Sequence, residues 1–170
     1  TGGDYAASPK LVYPSPFGGH NWHPMAFNPQ TKLVYIPAIV QPFLYVNDAG
    51  FKYRKGGSWN TGADFAALIA MTKGMPVPEP EGHLKAWDPV RQEVAWSVKH
   101  VSRTNGGLLT TAGNLVFQGT GDGRFVAYQA DSGKVLWETR TNIGIVAPPI
   151  TYSVDGEQYV AVLAGWGGAP

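Results

Sequence analysis

From Gly18 to Met25 the chain reads GGHNWHPM, a stretch that sets two histidines, an amide and an indole between a glycine pair and a proline. Three kinds of chemistry are open to it. His20 and His23 have an H-x-x-H spacing that could serve zinc, Asn21 carries donors and an acceptor in one small amide, and Trp22 offers a large flat ring. The zinc reading lacks a helix under the pair and a third ligand, since His83 and His100 stand in unrelated contexts, so neutral hydrogen-bonding histidines are the simpler account. The acidic residues are explained without catalysis. Asp122 and Asp155 each precede glycine, Asp131 lies at another turn and Asp88 precedes Pro89, all places where a short carboxylate supports a turn. Whether Gly18–Met25 is a metal site, a catalytic centre or a loop holding a ring depends on the elements that present it.

The composition limits those elements. Of 170 residues, 44% are apolar and 15% charged, against roughly 25% charged in an ordinary globular chain. Glycine (22), proline (14) and an aromatic fraction of 12% point to tight turns and ring-filled layers, an all-β composition. A formal charge of +1 gives no electrostatic case for nucleic acid or an anionic membrane, and no apolar run is long enough to span a bilayer. The start, TGGDYAASPK, has neither the basic nor the apolar segment of a signal peptide. The absence of cysteine removes disulfides, thiolate metal sites and a CxxCH haem attachment from these residues.

The chain also repeats itself. Ala86 to Trp96 (AWDPVRQEVAW) lies over Ala127 to Trp137 (AYQADSGKVLW) at an offset of 41 residues, and each copy reads strand, turn, strand. A weaker third copy runs from Ala26 to Ile36, with Ile36 at the tryptophan position. Repeats of roughly 40 to 45 residues built from four strands indicate propeller blades. Strands are predicted at Leu108–Thr111, Asn114–Gln118, Arg124–Gln129 and Lys134–Glu138, with a hairpin at Asp122-Gly123. A further blade begins at Val146–Tyr152, turns at Asp155-Gly156 and continues through Gln158–Leu163.

The stretch 41–80 departs from blade sequence. It is a Gly- and Pro-punctuated insertion rich in rings (Phe43, Tyr45, Phe51, Tyr53, Trp59, Phe65), with a short helix over Ala63–Thr72 that Thr61 caps and Gly74 stops. The predicted fold is therefore all-β: about three blades or part-blades of a larger propeller, each a four-stranded antiparallel sheet, plus an irregular insertion. Within 1–170, residues 15–40 supply blade strands and the histidine loop, 41–80 the insertion, 81–139 the repeats and 140–170 the start of the next blade. Such repeats leave strand edges unpaired until the ring closes, so the sequence reads as an excerpt of a longer protein.

Ala127, Gln129, Ser132, Gly133, Lys134 and Trp137 resemble the tryptophan-docking motif of quinoprotein alcohol dehydrogenases, A-x-D-x-x-T-G-K-x-x-W, with departures at Gln129 and Ser132. In the earlier copy Ala86, Asp88 and Trp96 fit, while Gln92 and Glu93 replace the Gly and Lys. Together with PSPFGGHNWHPMAFNP, GGLLTTAGNLVFQGTGDGRFVAYQADSGKVLW and IVAPPITYSVDGEQYVAVLAGWGG, these motifs resemble the PQQ-dependent alcohol dehydrogenases over nearly the whole chain.

The resemblance implies an eight-bladed propeller in the periplasm that holds pyrroloquinoline quinone (PQQ) and Ca²⁺ near its axis and oxidises primary alcohols to aldehydes. It also implies electron transfer to a cytochrome c or another periplasmic acceptor, with haem c on the same chain in some members. By resemblance Asn21 and Trp22 contact PQQ. Trp166, set between glycines after an apolar strand, either faces the cofactor or packs between blades. Trp96 and Trp137 stand at inter-blade packing positions. No residue here matches the family's catalytic aspartate, its metal ligands or its vicinal cysteines, so the segment by itself is expected to be inactive. The insertion either walls the substrate entrance or merely covers one face of the ring. Two other functions share the blade repeat: a non-enzymatic scaffold of the outer-membrane-assembly type, and a quinoprotein acting on aldoses or polyvinyl alcohol.

Overall fold

A computed structural model describes residues 4–57, 60–74 and 76–167; Trp59 and Gly168, named above, lie outside them. In chain order the elements are β1 (Lys10–Val12), β2 (Ala26–Asn28), β3 (Leu33–Val40), β4 (Phe43–Tyr45), α1 (Phe65–Thr72), β5 (Glu81–Asp88), β6 (Glu93–His100), β7 (Asn105–Thr111), β8 (Leu115–Thr120), β9 (Arg124–Gln129), β10 (Val135–Arg140), β11 (Ile150–Val154) and β12 (Glu157–Ala161). They fall into two compact units, Thr1–Phe17 with Gln41–Glu79 and Gly18–Val40 with Pro80–Pro170.

The second unit carries the repeats. Its sheets run in the orders β2-β3-β5-β6 and β7-β8-β9-β10, and β11 pairs with β12 as a separate hairpin. All of these pairings are antiparallel. Two four-stranded blades and the beginning of a third are what the repeat predicted. Both outer hairpins carry the same irregularity: the register shifts between Ala86 and Trp87 opposite β6, and between Val135 and Trp137 on β10. One extra residue just before each tryptophan turns that indole off the strand's regular alternation. Gln92 (φ 57°) and Gly133 (φ 72°) occupy the same left-handed turn position, so the Gln92 departure from the motif preserves the turn at some conformational cost.

The third copy is placed differently from its predicted role. Ala26–Ile36 builds the β2–β3 hairpin at the inner end of its sheet, whereas the two stronger copies build outer hairpins. Its structural counterpart is the β7–β8 turn, where Asn114 (φ 61°) matches Lys32 (φ 60°). A polar turn with at least one left-handed residue recurs in each of these hairpins, so comparing the sequence with itself overlays turns that are not equivalent.

Facing sides of the two sheets make the core. Leu33, Tyr35, Leu84 and Ala86 from the first meet Leu108, Val116, Val126, Tyr128 and Ala130 from the second. Each large side chain buried there contributes roughly 1.5–3 kcal/mol. Trp96 closes the outer end of this seam. Its Nε1 donates to the Ala130 carbonyl at 3.1 Å, its ring lies 5.7 Å from that of Tyr35, and a Cβ on Gly133 would meet its Cε3 at 2.6 Å. The Tyr35 hydroxyl donates to the same carbonyl at 2.9 Å. Nearer the other end, Asn28 is 1% exposed and reaches across the seam to Thr110 Oγ1 (2.9 Å) and the Thr111 carbonyl (3.2 Å).

His100 adds a polar contact to the seam. Its Nε2 lies 3.0 Å from Gln118 Oε1, and because the Gln118 amide nitrogen donates to the Gly106 carbonyl, Nε2 carries the hydrogen. Burial, only partly offset by that bond, pushes the His100 pKa down to about 4. A histidine held neutral in the fold but free to protonate near 6.5 once unfolded stabilises the fold above that value, and the contribution is lost as pH falls towards 4. Thermal midpoints of the full-length protein should therefore drop on acidification, with about 2 kcal/mol lost by about pH 5, and less steeply in His100→Gln. Equal slopes for the two proteins would remove His100 from the account.

In the first unit β1 pairs with β4, and Tyr5, Tyr45, Phe43 and Phe65 form a chain of ring contacts with centroids 4.8–6.1 Å apart. The helix starts two residues later than predicted and is capped by Asp64, whose carboxylate accepts from the Ala67 amide at 2.9 Å, in place of Thr61. An aspartate three residues before a free helical N–H competes better for it than a threonine further upstream. Among the described residues no helix is long and apolar enough to cross a membrane.

Candidate functional site

The histidine loop is shaped by an interruption in β3. β2 pairs with β3 only as far as Tyr35, and Pro37, which has no N–H to give, comes two residues later. In an antiparallel strand the N and O of one residue point to the same side. Opposite β5, Pro37 therefore presents only its carbonyl, and the His20 Nδ1 occupies it at 3.0 Å; two residues on, the Ile39 amide donates to the Gly19 carbonyl at 2.9 Å. The loop thus continues the sheet where β2 stops. At its far end the Pro24 carbonyl accepts from Leu108 at 3.0 Å, which ties it to β7 of the next sheet. Gly107 permits that approach, since a Cβ there would lie 2.5 Å from Pro24 Cδ and 2.9 Å from Pro148 Cβ.

Between these anchors sit Asn21 and Trp22. The Asn21 side-chain oxygen accepts from the Trp22 amide at 2.8 Å, fixing the tip. The Trp22 indole is 59% exposed and stacks on the His23 ring at 4.0 Å and 23°, and His23 is only 6% exposed. Burial first, then the nearby His20, lowers the His23 pKa, so it is a neutral ring. His20 does hydrogen-bond as expected of a loop histidine, but His23 Nε2 has no hydrogen-bond partner among the described residues. The importance of the His23 face, and of Gly107, was not read from the sequence. Only the adjacency of Trp22 and His23 hinted at the first.

Trp166 enters the same end of the second unit from another strand. The end of β12 lies beside the start of β11, Gly165 bridges to Ile145, and the Trp166 ring rests on Gly144, where an added Cβ would meet Cζ2 at 2.8 Å. Asn21 and Trp22 are neighbours on one loop, and Trp166, beyond β12, lies half-buried against the Gly144 backbone. Three of the four turn aspartates have structural partners: Asp88 accepts from the amides of Val90 and Arg91, Asp131 from Asn114, and Asp122 pairs with Arg124 at 2.9 Å. Among the described residues no group of three His, Asp or Glu side chains is placed to hold a metal ion.

Residues 4–160 match the family model of the glucose/ethanol/alcohol dehydrogenase β-propeller domain, designated PQQ. The chain belongs to this family. It is 52% identical over 170 residues to a quinohemoprotein alcohol dehydrogenase of Comamonas testosteroni, covering 95% of this chain and 23% of that protein. It is 43% identical to the 1-butanol dehydrogenase (cytochrome c) of Thauera butanivorans, over 93% of this chain and 23% of the relative. The crystal structure of the Comamonas testosteroni quinohemoprotein alcohol dehydrogenase superposes with a TM-score of 0.85 at 50% identity, over 95% of this chain and 24% of that one. The chain thus spans about a quarter of the length of the relatives it matches.

Proposed function

We propose that the chain is part of a PQQ- and Ca²⁺-dependent dehydrogenase of the periplasm that oxidises primary alcohols to aldehydes and passes electrons to a cytochrome c, with Asn21, Trp22 and Trp166 facing the quinone. The observation that carries the reading is the exposed Trp22 plate beside Asn21, on a loop fastened to two sheets. These residues fit one wall of a planar, oxygen-rich group. The chemistry supplied by such a group is hydride acceptance, helped by a cation that polarises the accepting carbonyl.

The chain's own contribution is orientation. Asn21 binds through its amide, Trp22 covers an aromatic face and keeps water from it, and the anchors at Gly19, His20 and Pro24 hold both in register. The proton acceptor and the cation ligands are assigned to the remainder of the full-length protein. In that protein, PQQ titration followed by tryptophan quenching should show saturable binding. Asn21→Ala and Trp22→Ala should each weaken it by about tenfold, as expected for one lost hydrogen bond or ring contact. Wild-type affinity in both variants would sink the assignment.

A further inference from the structure

We propose that His23 is a positioning residue of the cofactor site, a rigid plate whose ring face sets the plane of Trp22. The inference rests on the reading that Trp22 touches the quinone. Its basis is an asymmetry in how the imidazole is used. The face is engaged, stacked under Trp22 at 4.0 Å and 23°, while the edge is not: Nε2 is fully buried and, among the described residues, no group bonds to it.

The space around the ring, lined by His23, Pro37, Ile39, His83 and Arg103, is about 10 Å³, at the threshold for a single water molecule. A buried nitrogen without a protein partner lowers stability and calls for an explanation. The explanation here is the ring's shape. A flat, incompressible side chain pinned behind an indole that is 59% exposed stops that indole from rotating inward, which no branched aliphatic residue would do. Because the backbone on both sides is bonded to different strands, through the Gly19 carbonyl to β3 and through the Pro24 carbonyl to β7, the plate itself has nowhere to retreat.

The test compares His23→Leu, which fills the volume without a plane, with His23→Phe, which keeps the plane and removes the orphan nitrogen. PQQ affinity of the cofactor-free full-length enzyme is measured by calorimetry, with thermal midpoints taken in the absence of PQQ. His23→Leu should weaken PQQ by about tenfold and His23→Phe should stay within about threefold of wild type, with a midpoint no lower. Unchanged affinity in His23→Leu, or equal losses in both variants, overturns the proposal. If His23→Leu does not fold, a loss beyond about threefold in folded His23→Phe overturns it on its own. Trp22→Ala separates the two layers: wild-type affinity there sinks the cofactor reading and this inference with it, whereas a weakened Trp22→Ala beside an unaffected His23→Leu sinks this inference alone.

Discussion

Replacing Trp96 by alanine in the full-length protein is expected to cost about 4 kcal/mol, visible as a large fall in the thermal or denaturant midpoint. The indole contributes at three points. It packs against Tyr35, lies on Gly133 so closely that an added Cβ would sit 2.6 Å from it, and donates to the Ala130 carbonyl at 3.1 Å. Truncation removes the ring from a seam whose other members, Tyr35, Leu84 and Val126, are fully buried, and the resulting gap is flanked by rigid strands that collapse little. Ala130 keeps one donor, the Tyr35 hydroxyl, so the loss is chiefly packing. Gly133→Val should fail from the other side, because it adds bulk under the indole at a residue with φ of 72°. Trp137 is 50% exposed here, yet it holds the matching place one repeat later. In the full-length protein Trp137→Ala should cost a similar amount, and a neutral result would mean that the two tryptophans are not equivalent.

Gly107→Val is the second large effect, and it acts on the site without touching it. The new Cβ would need the space of Pro24 Cδ at 2.5 Å and Pro148 Cβ at 2.9 Å, both parts of stiff rings. Relief requires Pro24 to move, which breaks the bond from Leu108 and releases one anchor of the Asn21 loop. PQQ affinity should fall about a hundredfold or more, while the core seam, which loses no side chain, keeps the protein folded with a loss of about 2 kcal/mol. The measurement is a PQQ titration beside a melting curve. A variant that binds normally would show that the Pro24 anchor does not position Asn21 and Trp22.

The propeller was legible because its signals are local and repeated. The offset between Trp96 and Trp137, the Asp122-Gly123 hairpin and the strand Arg124–Gln129 all follow from turn chemistry and period, and the structure reproduces them. Local signals mislead where they coincide. One turn type serves inner and outer hairpins, so Ala26–Ile36 overlays the wrong pair, and Asp64 caps α1 where Thr61 is expected. At the site, the sequence pointed to Asn21 and Trp22 through resemblance alone. Beyond the adjacency of Trp22 and His23 it gave no sign that His23 would be buried among residues of β3 and β5, or that Gly107 makes room for Pro24, because both depend on contacts distant in sequence. Contacts that cross from one sheet to the next leave no period to read.

The double attachment of the histidine loop has a further implication. A segment moored to a single sheet can swing as a flap; one moored to β3 and β7 moves only when the wedge between those sheets widens or narrows. Whatever passes in front of Asn21 must therefore come and go without this segment acting as a door, and any slackness between neighbouring blades, even at the distant Trp96 dock, would be felt as misalignment at the tip.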